Sequence, residues 1–179
     1  MEISIQQTNC LTPIRIALDL DDCLTSFYDS YKEKFKADKN PKVLENNVIT
    51  KNVVKLKTNK AFWLGLRKIS DINFIPELYA TKRINPKSWS RQWLINNGFP
   101  NRPIYQMVLQ DGNKADMIKG KCDVLIDDSE TNVRKALKSG LPALLLDKPY
   151  NRNATDLKRI YSLDINEINK AFYEIQHKS

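Results

Sequence analysis

Asp19, Asp21 and Asp22 stand together in the run Asp19-Leu20-Asp21-Asp22-Cys23-Leu24-Thr25, directly after the apolar stretch Ile14-Arg15-Ile16-Ala17-Leu18. A second acidic pair, Asp127-Asp128, follows Cys122-Asp123-Val124-Leu125-Ile126 in the same way. Short β-prone apolar runs read as buried strands, and open α/β sheets build their sites at the carboxyl ends of strands. Asp19 and Asp21 would point to opposite faces of an extended chain. They converge only if the backbone turns there, so the cluster implies a shaped loop. Crowded carboxylates are costly unless a cation or a proton shares the site. All-oxygen ligation suits a hard ion such as Mg²⁺, which binds through one or two carboxylates plus substrate phosphate oxygens. An EF-hand loop starting at Asp19 is excluded, because its fifth position would be Cys23 and its twelfth Ser30. Either cluster alone fits a solvated turn or a helix N-cap. Their repetition at two strand ends points to a metal site.

Other residue types narrow the chemistry by exclusion. The single histidine, His177, lies in the polar tail Gln176-His177-Lys178-Ser179. A Ser-His-Asp or Cys-His mechanism therefore lacks its base, and His-rich metal sites are ruled out. The three cysteines, Cys10, Cys23 and Cys122, are widely spaced with no CxxC pair. A reducing cytoplasm fits them best, without a disulfide framework or zinc site. The net charge of +8 and a pI near 9.3 favour polyanionic partners or substrates through long-range steering. The lysines are scattered rather than blocked, so a generally basic surface and a nucleic-acid-binding face both remain open. No apolar run approaches membrane-spanning length, and Met1–Gln7 lacks the basic and apolar regions of a signal peptide.

The elements that must carry these residues alternate. At 179 residues the chain is expected to form a single domain over 1–179. Phe27, Tyr28, Tyr31 and Phe35 recur at helical spacing before Asn40-Pro41. Residues 42–58 switch to β-like composition, which predicts a small hairpin, and Ala61–Ile69 reads as the next helix. A second strand is expected over Asn73–Thr81, then a helix opened by Asn85-Pro86 and closed by Asn97-Gly98. Ile104–Leu109 is a third strand. The turn Asp111-Gly112-Asn113 leads into a short helix, Lys114–Lys119, ahead of the acidic strand. A helix over Glu130–Ser139, a strand over Pro142–Asp147 and a last strand-helix piece around Ile160, Ile165, Ile168 and Phe172 complete the chain. Strands alternating with helices predict an α/β fold, a Rossmann-like parallel sheet covered on both faces.

Four features thus fall in order at strand ends or beside them: Asp19-Leu20-Asp21, Thr81, a lysine (Lys114 or Lys119), and Asp127-Asp128. This order resembles the haloacid dehalogenase-like (HAD) superfamily, from about Ile14 to Asp147. The resemblance implies an aspartyl-phosphate mechanism. Asp19 would attack phosphorus, and Asp21 would act as general acid and base. Thr81 would hydrogen-bond the phosphoryl group, and the lysine would offset charge. Mg²⁺ would be held by the Asp19 carboxylate, the Asp21 carbonyl and Asp127, with Asp128 as a further candidate. Lys114, beside the turn where its helix begins, is preferred over Lys119. Many members carry Gly-Thr after the second Asp, where this chain has Asp22-Cys23. An Asp at the position of Asp21 is the usual mark of phosphatases over dehalogenases.

The resemblance extends to substrates. Leu125–Ser129 and Pro149-Tyr150-Asn151-Arg152 are similar to the 5′(3′)-deoxyribonucleotidase branch, which implies nucleotides. Thr81-Lys82-Arg83 with a basic surface is similar to polynucleotide 3′-phosphatases, which implies nucleic-acid ends. Lys82, Arg83 and Cys23 are then expected beside the substrate, where Lys82 and Arg83 would clamp a second phosphate or a nucleic-acid backbone. Phe27, Tyr28 and Trp63 are candidates to stack on a base, although such aromatics are more often ordinary packing. The insertion at 26–70 occupies the position of the family's small cap, which would govern access. A different class of reading is a catalytically silent, basic nucleic-acid-binding module whose carboxylates hold only a structural ion.

Overall fold

The computed structural model of the protein describes residues 13–36, 55–108 and 112–177. Its sheet has six strands: β1 (Ile16–Leu18), β2 (Leu78–Lys82), β3 (Ile104–Met107), β4 (Val124–Asp127), β5 (Ala143–Leu146) and β6 (Arg159–Ile160). All pair in parallel, in the order β3-β2-β1-β4-β5-β6. Six α-helices are described: α1 (Phe27–Phe35), α2 (Lys60–Leu64), α3 (Lys87–Asn96), α4 (Lys114–Ile118), α5 (Glu130–Lys138) and α6 (Ile165–Gln176). The expected α/β fold, a parallel sheet covered on both faces, is what forms.

Strand parity divides the core. Ile16, Leu18, Tyr79, Ile126, Leu144 and Leu146 pack with α1, α2, α3 and α6. Ala17, Leu78, Ala80, Leu125, Ala143 and Leu145 pack with α4 and α5 on the other face. Successive side chains of a strand point to opposite sides, so near-continuous apolar strands are what a doubly covered sheet requires. The same parity carries Asp127, and Asp19 just past β1, toward the face where α4 lies.

Three expectations change in detail. β2 begins at Leu78 rather than Asn73. Pro76 has no N–H for a ladder, and Asn73 is drawn to the start of α6, donating to Asp164 (2.6 Å) and accepting from the Ile165 N–H (2.9 Å). The predicted hairpin over 42–58 lies mostly outside the described residues. Within them, 55–57 are helical, Leu56 is buried, and the Trp63 indole donates to the Leu56 carbonyl (2.8 Å). One helical turn there delivers Leu56 to the aromatic core that an extended strand would have missed. The helix expected over 61–69 stops at Gly65, where an added Cβ would sit 2.9 Å from the Ala61 carbonyl.

The two ends of the 26–70 insertion meet. The Ser26 N–H donates to Arg67 and the Ile69 N–H to Leu24, both at 2.9 Å. The segment therefore leaves and re-enters the body through a two-stranded neck beside β1.

After β1 the chain turns at once. The Leu24 and Thr25 N–H groups donate to the Leu20 carbonyl, and the Asp22 N–H to Thr25. Asp22 sits in the left-handed region at φ 57°, a conformation Asp tolerates better than most residues. Its carboxylate accepts from the Tyr28 N–H (3.2 and 3.3 Å), so it caps α1. Asp22→Ala, which loses the cap and keeps the strain, is expected to cost about 1–3 kcal/mol of stability. Asp22→Gly, which relieves the strain, should cost less. Urea midpoints measure both, and an alanine variant as stable as the wild type would contradict this role.

Candidate active site

β1 and β4 are neighbours in space but far apart in sequence, and the order of strands reverses between them. A crevice opens outside the carboxyl ends of strands at such a switch point. The Asp19 N–H donates to the Ile126 carbonyl (3.0 Å), which ties the first acidic loop to the second strand end. A pocket lies here, with Asp19, Asp21, Asp22, Thr81, Lys82 and Lys114 among its lining residues.

Lys114 organises the floor. It is 2 % exposed, with its ammonium 2.6 Å from Asp19 Oδ1 and 2.8 Å from Asp127 Oδ2. One cation thus touches carboxylates from both strand ends. Burial works against its charge, but Asp127 and Asp19 outweigh burial and raise its pKa above that of an ordinary lysine. The alternative, Lys119, donates to the Ser139 carbonyl at the end of α5 (2.7 Å). Lys114 starts α4 behind the N-cap Asn113, which aims its stem at the sheet edge.

Asp19 is almost fully buried. Desolvation, with Asp127, Asp128 and Asp21 nearby, pushes its pKa well up despite Lys114. Burial and Asp127 likewise push Asp128 up to about 7. Such a cluster is short of positive charge, as a cation site is before its ion arrives. The donor atoms of Asp19, Cys23 and Asp128 all lie within 4.8 Å of one another. Cys23, expected beside the substrate, is buried and does not line the pocket; its thiol, kept protonated by burial and Asp128, donates to Asp128 Oδ1 (3.7 Å). What remains is hard carboxylate oxygen, a donor set that fits Mg²⁺.

Asp127, expected as a ligand, is occupied otherwise. Besides Lys114 it accepts from the Ser129 N–H (2.9 Å) and the Asn132 amide (3.2 Å). It anchors Lys114 and the start of α5, and Asp128 takes the place facing Asp19. Sequence does not separate the pair, since they are adjacent where β4 ends and only the turn after it decides which carboxylate faces the pocket. Asn132 carries no sequence signal of its own; Ser129, whose hydroxyl caps α5 by accepting from the Asn132 N–H, marks where that helix begins.

Arg83, expected to clamp a substrate phosphate, lies 1 % exposed beneath the pocket and does not line it. Its guanidinium forks onto Asp21, with NH2–Oδ1 at 2.6 Å and Nε–Oδ2 at 3.0 Å, and it stacks 5.2 Å from the Trp63 ring. The Thr25 hydroxyl adds a bond to Asp21 Oδ1 (3.0 Å). Asp21 is therefore held in one orientation by two side chains. Lys82 does line the pocket, and burial with Lys114 nearby lowers its pKa to about 8.

Thr81 is fully buried at the end of β2, lines the pocket, and its hydroxyl has no hydrogen-bond partner among the described residues. A buried hydroxyl without a partner costs free energy until something arrives to accept or donate. Facing the charged floor are Phe27, Tyr28, Leu56, Trp63 and Ile84. Phe27 and Trp63 stack on each other at 5.6 Å and are nearly buried, so they form a wall of the pocket as packed core. His177 does not line the pocket; it stacks on Tyr173 at the end of α6.

Among the described residues no helix is long and apolar enough to cross a membrane. No family model and no curated protein sequence matches the chain. Among solved structures, it is similar to a haloacid dehalogenase-like family hydrolase from Streptococcus pneumoniae, with a TM-score of 0.58 and 13 % identity. That alignment covers 89 % of this chain and 98 % of the other. At this identity the likeness is one of fold: the chain has a haloacid dehalogenase-like fold.

Proposed function

We propose that the protein is a Mg²⁺-dependent phosphomonoester hydrolase that works through an aspartyl-phosphate on Asp19, with nucleotides as its substrates. One observation carries this reading. A buried carboxylate, a cation bridging it to the second strand end, and a buried hydroxyl with no partner line one pocket at the sheet's switch point. Those are the groups a phosphoryl transfer needs: a nucleophile, charge compensation and a hydrogen bond to the phosphoryl oxygens.

In this mechanism Asp19 attacks phosphorus, and the bond to the leaving oxygen breaks as Asp21 gives that oxygen a proton. Asp21 then takes a proton from water, which attacks the acyl phosphate and releases inorganic phosphate and free Asp19. The Arg83 fork and Thr25 keep Asp21 aimed through both steps. Thr81 donates to a phosphoryl oxygen, and Lys114 balances the charge on nucleophile and phosphate. Asp19 and Asp128, with the Asp21 carbonyl, would hold Mg²⁺, which when bound neutralises phosphate oxygens. The 26–70 insertion acts as the small cap, its neck beside β1 and its aromatic residues against the leaving group. The buried free thiols Cys23 and Cys122 suit a reducing cytoplasm.

Lys82 supports a second reading, a polynucleotide 3′-phosphatase, because it adds a cation to the pocket for a further phosphate. The two separate in one screen. Deoxynucleoside 3′- and 5′-monophosphates are compared with 3′-phosphorylated oligonucleotides, after p-nitrophenyl phosphate has been assayed with and without Mg²⁺. We expect Mg²⁺-dependent turnover with preference for mononucleotides. Preference for oligonucleotide ends would move the assignment to the second reading. Absent turnover with salt-sensitive DNA or RNA binding would mean a binding module instead.

A further inference from the structure

We propose that Tyr150 is a positioning residue for the divalent ion: it holds the Asp128 carboxylate in the orientation that completes the cation site with Asp19. This rests on the reading above, in which Asp19 and Asp128 hold Mg²⁺. Tyr150 comes from a different element, the one-turn 3₁₀ helix Pro149–Asn151 that follows β5. β5 is the sheet neighbour of β4, so this turn lies directly over the second acidic strand end. The Tyr150 hydroxyl donates to Asp128 Oδ2. The next residue secures the backbone of the same aspartate, because the Asn151 amide donates to the Asp128 carbonyl and to the Leu146 carbonyl, both at 2.8 Å. Asn151 is itself fixed, accepting from the Lys148 N–H and from Arg159. One short turn therefore grips Asp128 by side chain and main chain together.

A carboxylate at the tip of a strand can rotate about its two side-chain torsions. A ligand that must be ordered when the ion arrives loses affinity for that reason, and outer hydrogen bonds to a ligand restore it. The phenol engages Oδ2 and the Cys23 thiol donates to Oδ1, and a carboxylate oxygen of Asp128 lies within 4.8 Å of one of Asp19. The Tyr150 ring packs edge-on against Tyr28 at 5.6 Å, so its direction is set by the pocket wall. The hydroxyl, not the ring, makes the contact with Asp128, and the two contributions can be separated by one atom.

Tyr150→Phe keeps the ring against Tyr28 and deletes only the donor. Mg²⁺ binding to the full-length wild type and to this variant, without substrate, is measured by isothermal titration calorimetry, with circular dichroism to verify the fold. The variant is expected to bind Mg²⁺ about 10–100-fold more weakly. Its kcat on p-nitrophenyl phosphate should return to within about threefold of wild type at saturating Mg²⁺, since the hydroxyl touches no reacting atom. Equal Mg²⁺ affinity in the two proteins would overturn the positioning role while leaving the phosphatase reading intact. A kcat that stays low at saturating Mg²⁺ would also overturn it, by placing the effect on chemistry. A wild type that takes up no Mg²⁺ would sink both readings.

Discussion

Asp19→Ala is expected to lower phosphomonoester turnover by about 10³-fold or more and to leave the protein folded. The carboxylate sits where the chain leaves β1, almost without solvent, and is ion-paired with Lys114. Removing it takes away the atom that would form the bond to phosphorus, and the remaining groups cannot supply another nucleophile at that point. The fold tolerates the change because Lys114 keeps Asp127 as a partner and because Asp19 lies among like charges from Asp127, Asp128 and Asp21. Assay of p-nitrophenyl phosphate and urea denaturation of the same preparation measure the two halves separately. Retained turnover in a folded Asp19→Ala protein would remove Asp19 as the nucleophile.

Lys114→Met should act on the fold as well as on turnover. The side chain fills buried volume between α4 and the sheet, and methionine replaces most of that volume without the charge. Asp19 and Asp127 would then face each other in the interior with no cation between them. Breaking a buried pair by removing one partner costs about 3–5 kcal/mol, a large part of the stability of a domain this size. The sign of the pH dependence follows from the direction of the shift. Burial already raises the pKa of Asp19, and losing Lys114 raises it further, so the folded state binds protons more tightly than the unfolded state. Stability of the variant therefore falls as pH rises through that range and recovers on acidification. Urea midpoints at several pH values test this. A variant as stable as wild type at neutral pH, or one whose deficit grows on acidification, would show that Lys114 is not the charge that holds the two aspartates together.

Much of the architecture was legible along the chain. Near-continuous apolar runs at Ile16–Leu18, Val124–Asp127 and Ala143–Leu146 could only be strands covered on both faces, and the helical segments between them required parallel pairing. The acidic clusters lie where those runs end, which by itself puts Asp19 and the Asp127-Asp128 pair at one rim of the sheet. Tertiary structure gives neighbouring residues their separate partners. Lys114 and Lys119 lie about one helical turn apart, and only the packing of α4 sends one to the acidic floor and the other to the end of α5. Asp127 and Asp128 are adjacent, and the turn into α5 gives the first to Lys114 and Asn132 and the second to the pocket. Arg83 read as a phosphate clamp because its charge was visible while its partner, Asp21, was 62 residues away. Local pattern reports which face and which period a residue belongs to, because backbone geometry is local. Which charge meets which is a property of the closed sheet, where side chains distant in sequence compete for the same few buried positions.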